Sequence, residues 1–170
     1  MQRDGQKLKR GLAPLAAALG LSLLGACAGF TPMYAQPGVV AGASRVDVRT
    51  PNTRTGYLLR ESLEDALAWD RSSPAAYRLT VRLDERRTPR GLDENRVATR
   101  YEVRLEANYV LTEVGTGRTV LRGSRPVNLT YDTTAQPYAG IVAQQDSQRR
   151  AADQVAEIIK TDIITHFAGR

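Results

Sequence analysis

Between Val97 and Leu111 the chain keeps a two-residue period. Val97, Thr99, Tyr101, Val103, Leu105, Ala107, Tyr109 and Leu111 alternate with Arg100, Glu102, Arg104, Glu106 and Asn108. Successive side chains of an extended chain point to opposite faces, so this run predicts a strand with one apolar and one polar face. At about 3.3 Å per residue it is roughly 50 Å long, well beyond the usual strand. Tyr77, Leu79, Val81 and Leu83 alternate in the same way with Arg78, Thr80, Arg82 and Asp84. A polar loop containing Pro89 and Gly91 is expected from Glu85 to about Asn95. Thr119 to Tyr131 predicts a further strand, joined to the long one by a Gly115-Thr116-Gly117 turn, with a bulge or bend near Gly123 to Pro126. A short first strand over Arg45 to Arg49 places Val46 and Val48 on one face.

Two segments carry a helical period instead. Leu59, Leu63, Ala66 and Leu67 form one apolar stripe over about Thr55 to Trp69, after a Pro51-Asn52-Thr53 break that offers N-cap side chains. The last helix runs from about Pro137 to Phe167, with Ala152, Val155, Ala156, Ile159, Ile163 and Phe167 as its stripe. Its first half, Gln144 to Arg150, is polar all round. The order is β-α-β-β-β-α. Strands with one apolar face and two amphipathic helices predict an α+β two-layer sandwich: both helices on one face of a four-stranded, mostly antiparallel sheet, the other face wet.

The N-terminus reads differently. Arg3, Lys7, Lys9 and Arg10 against one Asp4 precede an uncharged Leu- and Ala-rich run, Leu12 to Ala26, and then Leu24-Gly25-Ala26-Cys27. A basic segment, an apolar segment and small residues at a cleavage point make a secretory signal peptide. As a helix the apolar run spans only roughly 22 Å, short of the ~30 Å hydrocarbon core, which argues against a permanent transmembrane anchor. Leu24-Gly25-Ala26-Cys27 resembles the lipobox, which makes Cys27 the expected lipidation site, carrying diacylglyceryl and N-acyl chains. Two or more acyl chains hold a protein firmly in a bilayer. Cys27 is the only cysteine, so the monomer forms no disulfide. The expected organisation is a cleaved signal at 1–26, a lipidated flexible tether at 27–43 rich in Gly, Pro and Ala, and one domain at 44–170. Ala28 follows the Cys. An inner-membrane retention signal would place Asp there, so the expected location is the periplasmic face of the outer membrane.

Removing 26 residues from 170 leaves 144, one domain of common size. The leader carries half of the formal net charge of +6. What remains has no concentrated basic stripe with interleaved aromatics, so no nucleic-acid partner is expected. No catalytic constellation is evident. His166, the only histidine, sits at the end of the last helix, where a cation complements the helix dipole. No second His or Cys accompanies it as a base or metal ligand, so neither an enzyme nor a metal or other cofactor site is expected. Arg86, Arg87 and Arg90 cluster beside the long hairpin. They are candidates for binding phosphate or acidic sugar, or else a solvated turn neutralised by Asp84, Glu85, Asp93 and Glu94.

Several short runs share a family likeness. Cys27-Ala28-Gly29-Phe30-Thr31-Pro32-Met33-Tyr34 resembles the start of the alphaproteobacterial LptE family of lipopolysaccharide-assembly lipoproteins. Arg54-Thr55-Gly56-Tyr57-Leu58-Leu59-Arg60 resembles that family's first helix, and Ala98-Thr99-Arg100 with Thr116-Gly117-Arg118 its strand and hairpin. Pro137-Tyr138-Ala139, Val142-Ala143 and Asp146 resemble the entry to its last helix. The resemblance covers nearly the whole mature chain in order. It implies a non-enzymatic lipoprotein that plugs and helps assemble the LptD β-barrel and takes part in lipopolysaccharide export. By position it carries lipopolysaccharide contact onto Arg86, Arg87 and Arg90. The alternative is a lipid-binding or general envelope lipoprotein unconnected with lipopolysaccharide.

Overall fold

The computed structural model describes residues 37–169 apart from 93, 95–97 and 134–135. In chain order the elements are α1 (Pro37–Ala43), β1 (Val46–Arg49), α2 (Arg54–Ala66), β2 (Tyr77–Leu92), β3 (Ala98–Glu113), β4 (Thr119–Asp132) and α3 (Pro137–Ala168). The sheet runs β1-β2-β3-β4, with β1 parallel to β2 and the other pairs antiparallel. This is the expected α+β class and strand order, with one helix, α1, added at the front.

The core lies between the helices and the face of the sheet formed by the odd-numbered residues of β2, β3 and β4 and by Val46 and Val48 of β1. Leu79 and Val81 of β2, Leu105, Ala107, Tyr109 and Leu111 of β3, and Val127 of β4 are buried there. Above them lie Leu59 and Leu63 of α2 and Val155, Ile159 and Ile163 of α3, all fully buried. Burying each such large apolar side chain contributes about 1.5–3 kcal/mol, so this layer dominates the stability. Ala151, Ala152 and Ala156 are also buried, and their small side chains let α3 lie close to its neighbours. The start of α2 is fixed by Thr53, whose Oγ1 accepts from the Gly56 amide at 3.1 Å. Gly56 is required there: a Cβ would stand 2.1 Å from the Pro51 carbonyl oxygen.

Three features differ from the sequence expectation. The stretch assigned to a flexible tether is helical over 37–43, where Val39 and Ala43 join the core and Gly42 packs on the Phe167 ring. Residues 1–26, Cys27 and the rest of the tether fall outside the described residues. Second, the polar loop expected from Glu85 is instead the continuation of β2, paired with β3 as far as Leu92 opposite Ala98. Pro89 is tolerated because β1 pairs only with residues 77–80, which leaves the rest of β2 as a sheet edge. Third, the register shift in the β3–β4 ladder lies beside Leu111 and Thr112, not at Gly123 to Pro126. Gly123 instead makes room for its cross-strand partner: a Cβ there would meet the Tyr109 hydroxyl at 2.4 Å.

That hydroxyl ends in a three-residue lock. Tyr109 Oη donates to Asp162 of α3, and Arg125 of β4 donates to both Asp162 oxygens at 2.8 Å. Hydrogen bonding from Arg125 holds the Asp162 carboxyl below its ordinary range against the opposing effect of burial. Burial, reinforced by the Asp162 carboxylate, pushes the Tyr109 phenol up. A carboxyl lowered by folding stabilises the native state above its unfolded pKa of about 3.9, and this contribution is lost as pH falls through the folded value. Asp162→Asn is therefore expected to cost about 1–3 kcal/mol at pH 7, since it removes the charge that assists three hydrogen bonds. Urea unfolding from pH 7 down to pH 2.5 checks this. The gap between wild type and variant should hold above pH 4 and shrink below it.

Candidate functional site

The three arginines singled out from the sequence are not brought together. Strand alternation sends Arg86 and Arg90 to the open face of the sheet and Arg87 to the helix-covered face. Arg86 pairs with Asp84 at 3.0 Å and Arg90 with Glu102 at 2.8 Å. The Arg87 guanidinium lies 4.6 Å from the centroid of the Tyr101 ring, which stacks on Tyr131. It donates to the Gln144 side chain at 2.7 Å and to Tyr131 Oη at 3.2 Å. Arg87 therefore ties the far end of the sheet to the start of α3.

The polar first half of α3 is explained by ties of the same kind. Glu85 accepts from Gln148 at 2.9 Å and from the buried Thr55 hydroxyl at 2.6 Å, which links β2, α2 and α3. Arg54 donates to Gln145 at 3.4 Å, and Ser62 to Asp153 at 2.7 Å. Just before this polar stretch, Tyr138, Ile141 and Val142 form an i, i+3, i+4 set with exposures of 82%, 53% and 57%. The domain itself does not cover this patch. The spacing was visible in the sequence, but the stripe drawn for the core began later.

The face of the sheet that carries the even-numbered residues of β2, β3 and β4 and the odd-numbered residues of β1 has no helix over it. Most of its charges are laid out as ion pairs: Arg49 and Arg78 with Asp47, Arg100 with Asp132, Arg104 with Glu106, and the Arg86 and Arg90 pairs. These are exposed pairs, each contributing at most about 1 kcal/mol. Register sets Arg86 opposite Arg104 and Arg90 opposite Arg100, and the acids beside them relieve that repulsion. The pattern of charges showed that this face is polar. Which arginine meets which acid depends on register, which the sequence does not display.

His166 lies in the last turn of α3, 5.7 Å from the Phe167 ring. Among the described residues no group of three His, Cys, Asp or Glu is placed to hold a metal, and no helix is long and apolar enough to cross a membrane.

Comparison with known proteins places this geometry. The chain is similar to a candidate lipoprotein from Caulobacter crescentus, with 44% identity over 78% of this chain and 96% of that one and a TM-score of 0.68. A minor lipoprotein from Acinetobacter baumannii shares the fold at 15% identity and a TM-score of 0.53, covering 72% of this chain and 92% of that one. The rare lipoprotein B of Shewanella oneidensis does so at 12% identity and a TM-score of 0.50, covering 71% and 96%. No curated protein matches the chain. The family model for LptE, described as lipopolysaccharide-assembly, matches residues 43–163, which span all four strands, α2 and most of α3, and the chain therefore belongs to the LptE family.

Proposed function

We propose that the chain is lipidated at Cys27, sits at the periplasmic face of the outer membrane, and acts there as plug and assembly partner of an LptD-type β-barrel in lipopolysaccharide export. The observation that carries this reading is the family match across residues 43–163. The architecture supports it in two ways. One face of the sheet is left open and rich in arginine, suited to an anionic lipid. The far end exposes Tyr138, Ile141 and Val142, an apolar surface that a barrel wall would bury. The role is one of holding and passing on lipid and needs no catalytic step.

Purification of the tagged lipoprotein from detergent-extracted outer membranes is the direct test. A large β-barrel and lipopolysaccharide should accompany the wild type. Cys27→Ala should leave the protein unlipidated and reduce barrel recovery several-fold. Wild-type preparations free of any barrel would contradict the partnership.

Arg86 and Arg90 remain proposed lipopolysaccharide contacts on the open face, whereas Arg87 is committed to Tyr101, Tyr131 and Gln144. Arg86→Glu with Arg90→Glu should weaken lipopolysaccharide binding several-fold and leave the melting temperature within a few degrees of wild type. Unchanged binding would remove both residues from the lipid site.

A further inference from the structure

Two arginines on the open face stand outside its ion-pair pattern. Arg49, Arg78, Arg86, Arg90, Arg100 and Arg104 each lie within 4.0 Å of a carboxylate. Arg82 of β2 and Arg122 of β4 have no such partner among the described residues. They are not scattered. Register sets Arg82 opposite Asn108 and Asn108 opposite Ser124, while Val110 sits between Thr80 and Arg122. The two arginines thus stand diagonally across β3, their Cα atoms roughly 12 Å apart by strand spacing and rise. Each side chain is long enough to lean over the middle strand, so both guanidinium groups can reach one anion held above β3.

Between them lies an open hollow of about 540 Å³, lined by Thr80, Arg82, Asn108, Val110, Arg122 and Ser124 together with Tyr109 and Gly123. Among the residues whose exposure is described, Val110 is the one large apolar side chain of β2, β3 and β4 left exposed on this face, at 37%. Arginine stems add apolar surface on either side while their charged heads stay in water. In the neighbouring hollow, lined by Asp84, Arg86, Arg104 and Glu106, both bases are already paired with acids, so an anion there would have to displace existing ion pairs.

We propose that the hollow over β3 binds a phosphate group carried on an amphiphile, with Arg82 and Arg122 as its two clamps and Val110 meeting the apolar part. Guanidinium groups without a carboxylate partner can each give a phosphate two parallel N–H donors, and no existing ion pair has to be broken first. Asn108 and Thr80 add a neutral amide and a hydroxyl within the same hollow. This site deepens the lipopolysaccharide-assembly reading and rests on it for the identity of the lipid. The site itself stands on the geometry alone.

The test uses the full-length lipoprotein in detergent and compares wild type with Arg82→Gln/Arg122→Gln. The control is Arg49→Gln/Arg78→Gln, which removes the same charge from the same face. Probes are purified lipopolysaccharide, phosphatidylglycerol vesicles and inorganic phosphate, and thermal melts establish that each variant is folded. The clamp variant should lose roughly tenfold or more in lipopolysaccharide affinity for the charged contacts removed, and the control less than twofold. Wild-type binding should weaken with rising salt. Equal losses in clamp variant and control would reduce the effect to general charge and overturn the site. So would a clamp variant that binds like wild type, including one that loses only its barrel partner, which would make the face a protein interface. Binding of vesicles but not lipopolysaccharide, lost in the clamp variant, would uphold the site and sink the lipopolysaccharide reading. Wild type binding neither lipid would overturn the site. Inorganic phosphate competing at micromolar concentration would overturn the amphiphile assignment.

Discussion

The domain depends on the burial of one face of β3 beneath α3. Leu105, Ala107, Tyr109 and Leu111 present a continuous apolar row at every second position, and Val155, Ile159 and Ile163 close over the sheet with α2. Because the strand period is two, a slip of one residue would exchange this row for Arg104, Glu106 and Asn108. The register of the whole sheet is therefore fixed by a single hydrophobic choice. The lock of Tyr109, Asp162 and Arg125 adds direction to that choice, since it forms only when α3, β3 and β4 are aligned. Gly123 is part of the same arrangement, as the space its missing side chain leaves is filled by the tyrosine.

Sealing one face also determines what the other can do. With the core complete on the helix side, the open face is free of packing duties and carries charge instead. Most of that charge is spent neutralising neighbours across and along the strands. Among the described residues, Arg82 and Arg122 are the two arginines of this face without a carboxylate partner, and they fall on opposite sides of the same stretch of β3. At the far end the helix side has its own polar fastening, through Arg87, Glu85 and the glutamines of α3. Function is therefore sought on the open face and beyond the end of the helix, where Tyr138, Ile141 and Val142 extend past the fastened region.

Much of this was legible in the chain. The alternation in β3 and the stripes of α2 and α3 gave the class, the order and most of the core, because each rests on a local period. What was missed depends on partners far away in sequence. The second half of β2 looked like a loop because it is polar and contains Pro89 and Gly91, both poor strand formers on their own. Pairing with β3 and an open edge beside Pro89 make it a strand. Residues 37–43 looked like a tether from their composition, and only the Phe167 ring and the core around Val39 and Ala43 make them a helix worth forming. The grouping of Arg86, Arg87 and Arg90 failed for a related reason: in a loop they could converge, but in a strand they cannot. Arg82 and Arg122 carry no local signal at all, because being unpaired is a property of register.

Membership of the LptE family states what the fold is used for. On this fold the uncovered face of the sheet is the proposed place of that use. A photoreactive residue at position 110, introduced into the lipoprotein and activated in intact cells, tests this most directly. The account predicts a lipopolysaccharide adduct from position 110 and none from position 105 on the sealed face. Adducts absent at position 110 in cells where the variant is folded and lipopolysaccharide export proceeds would contradict it.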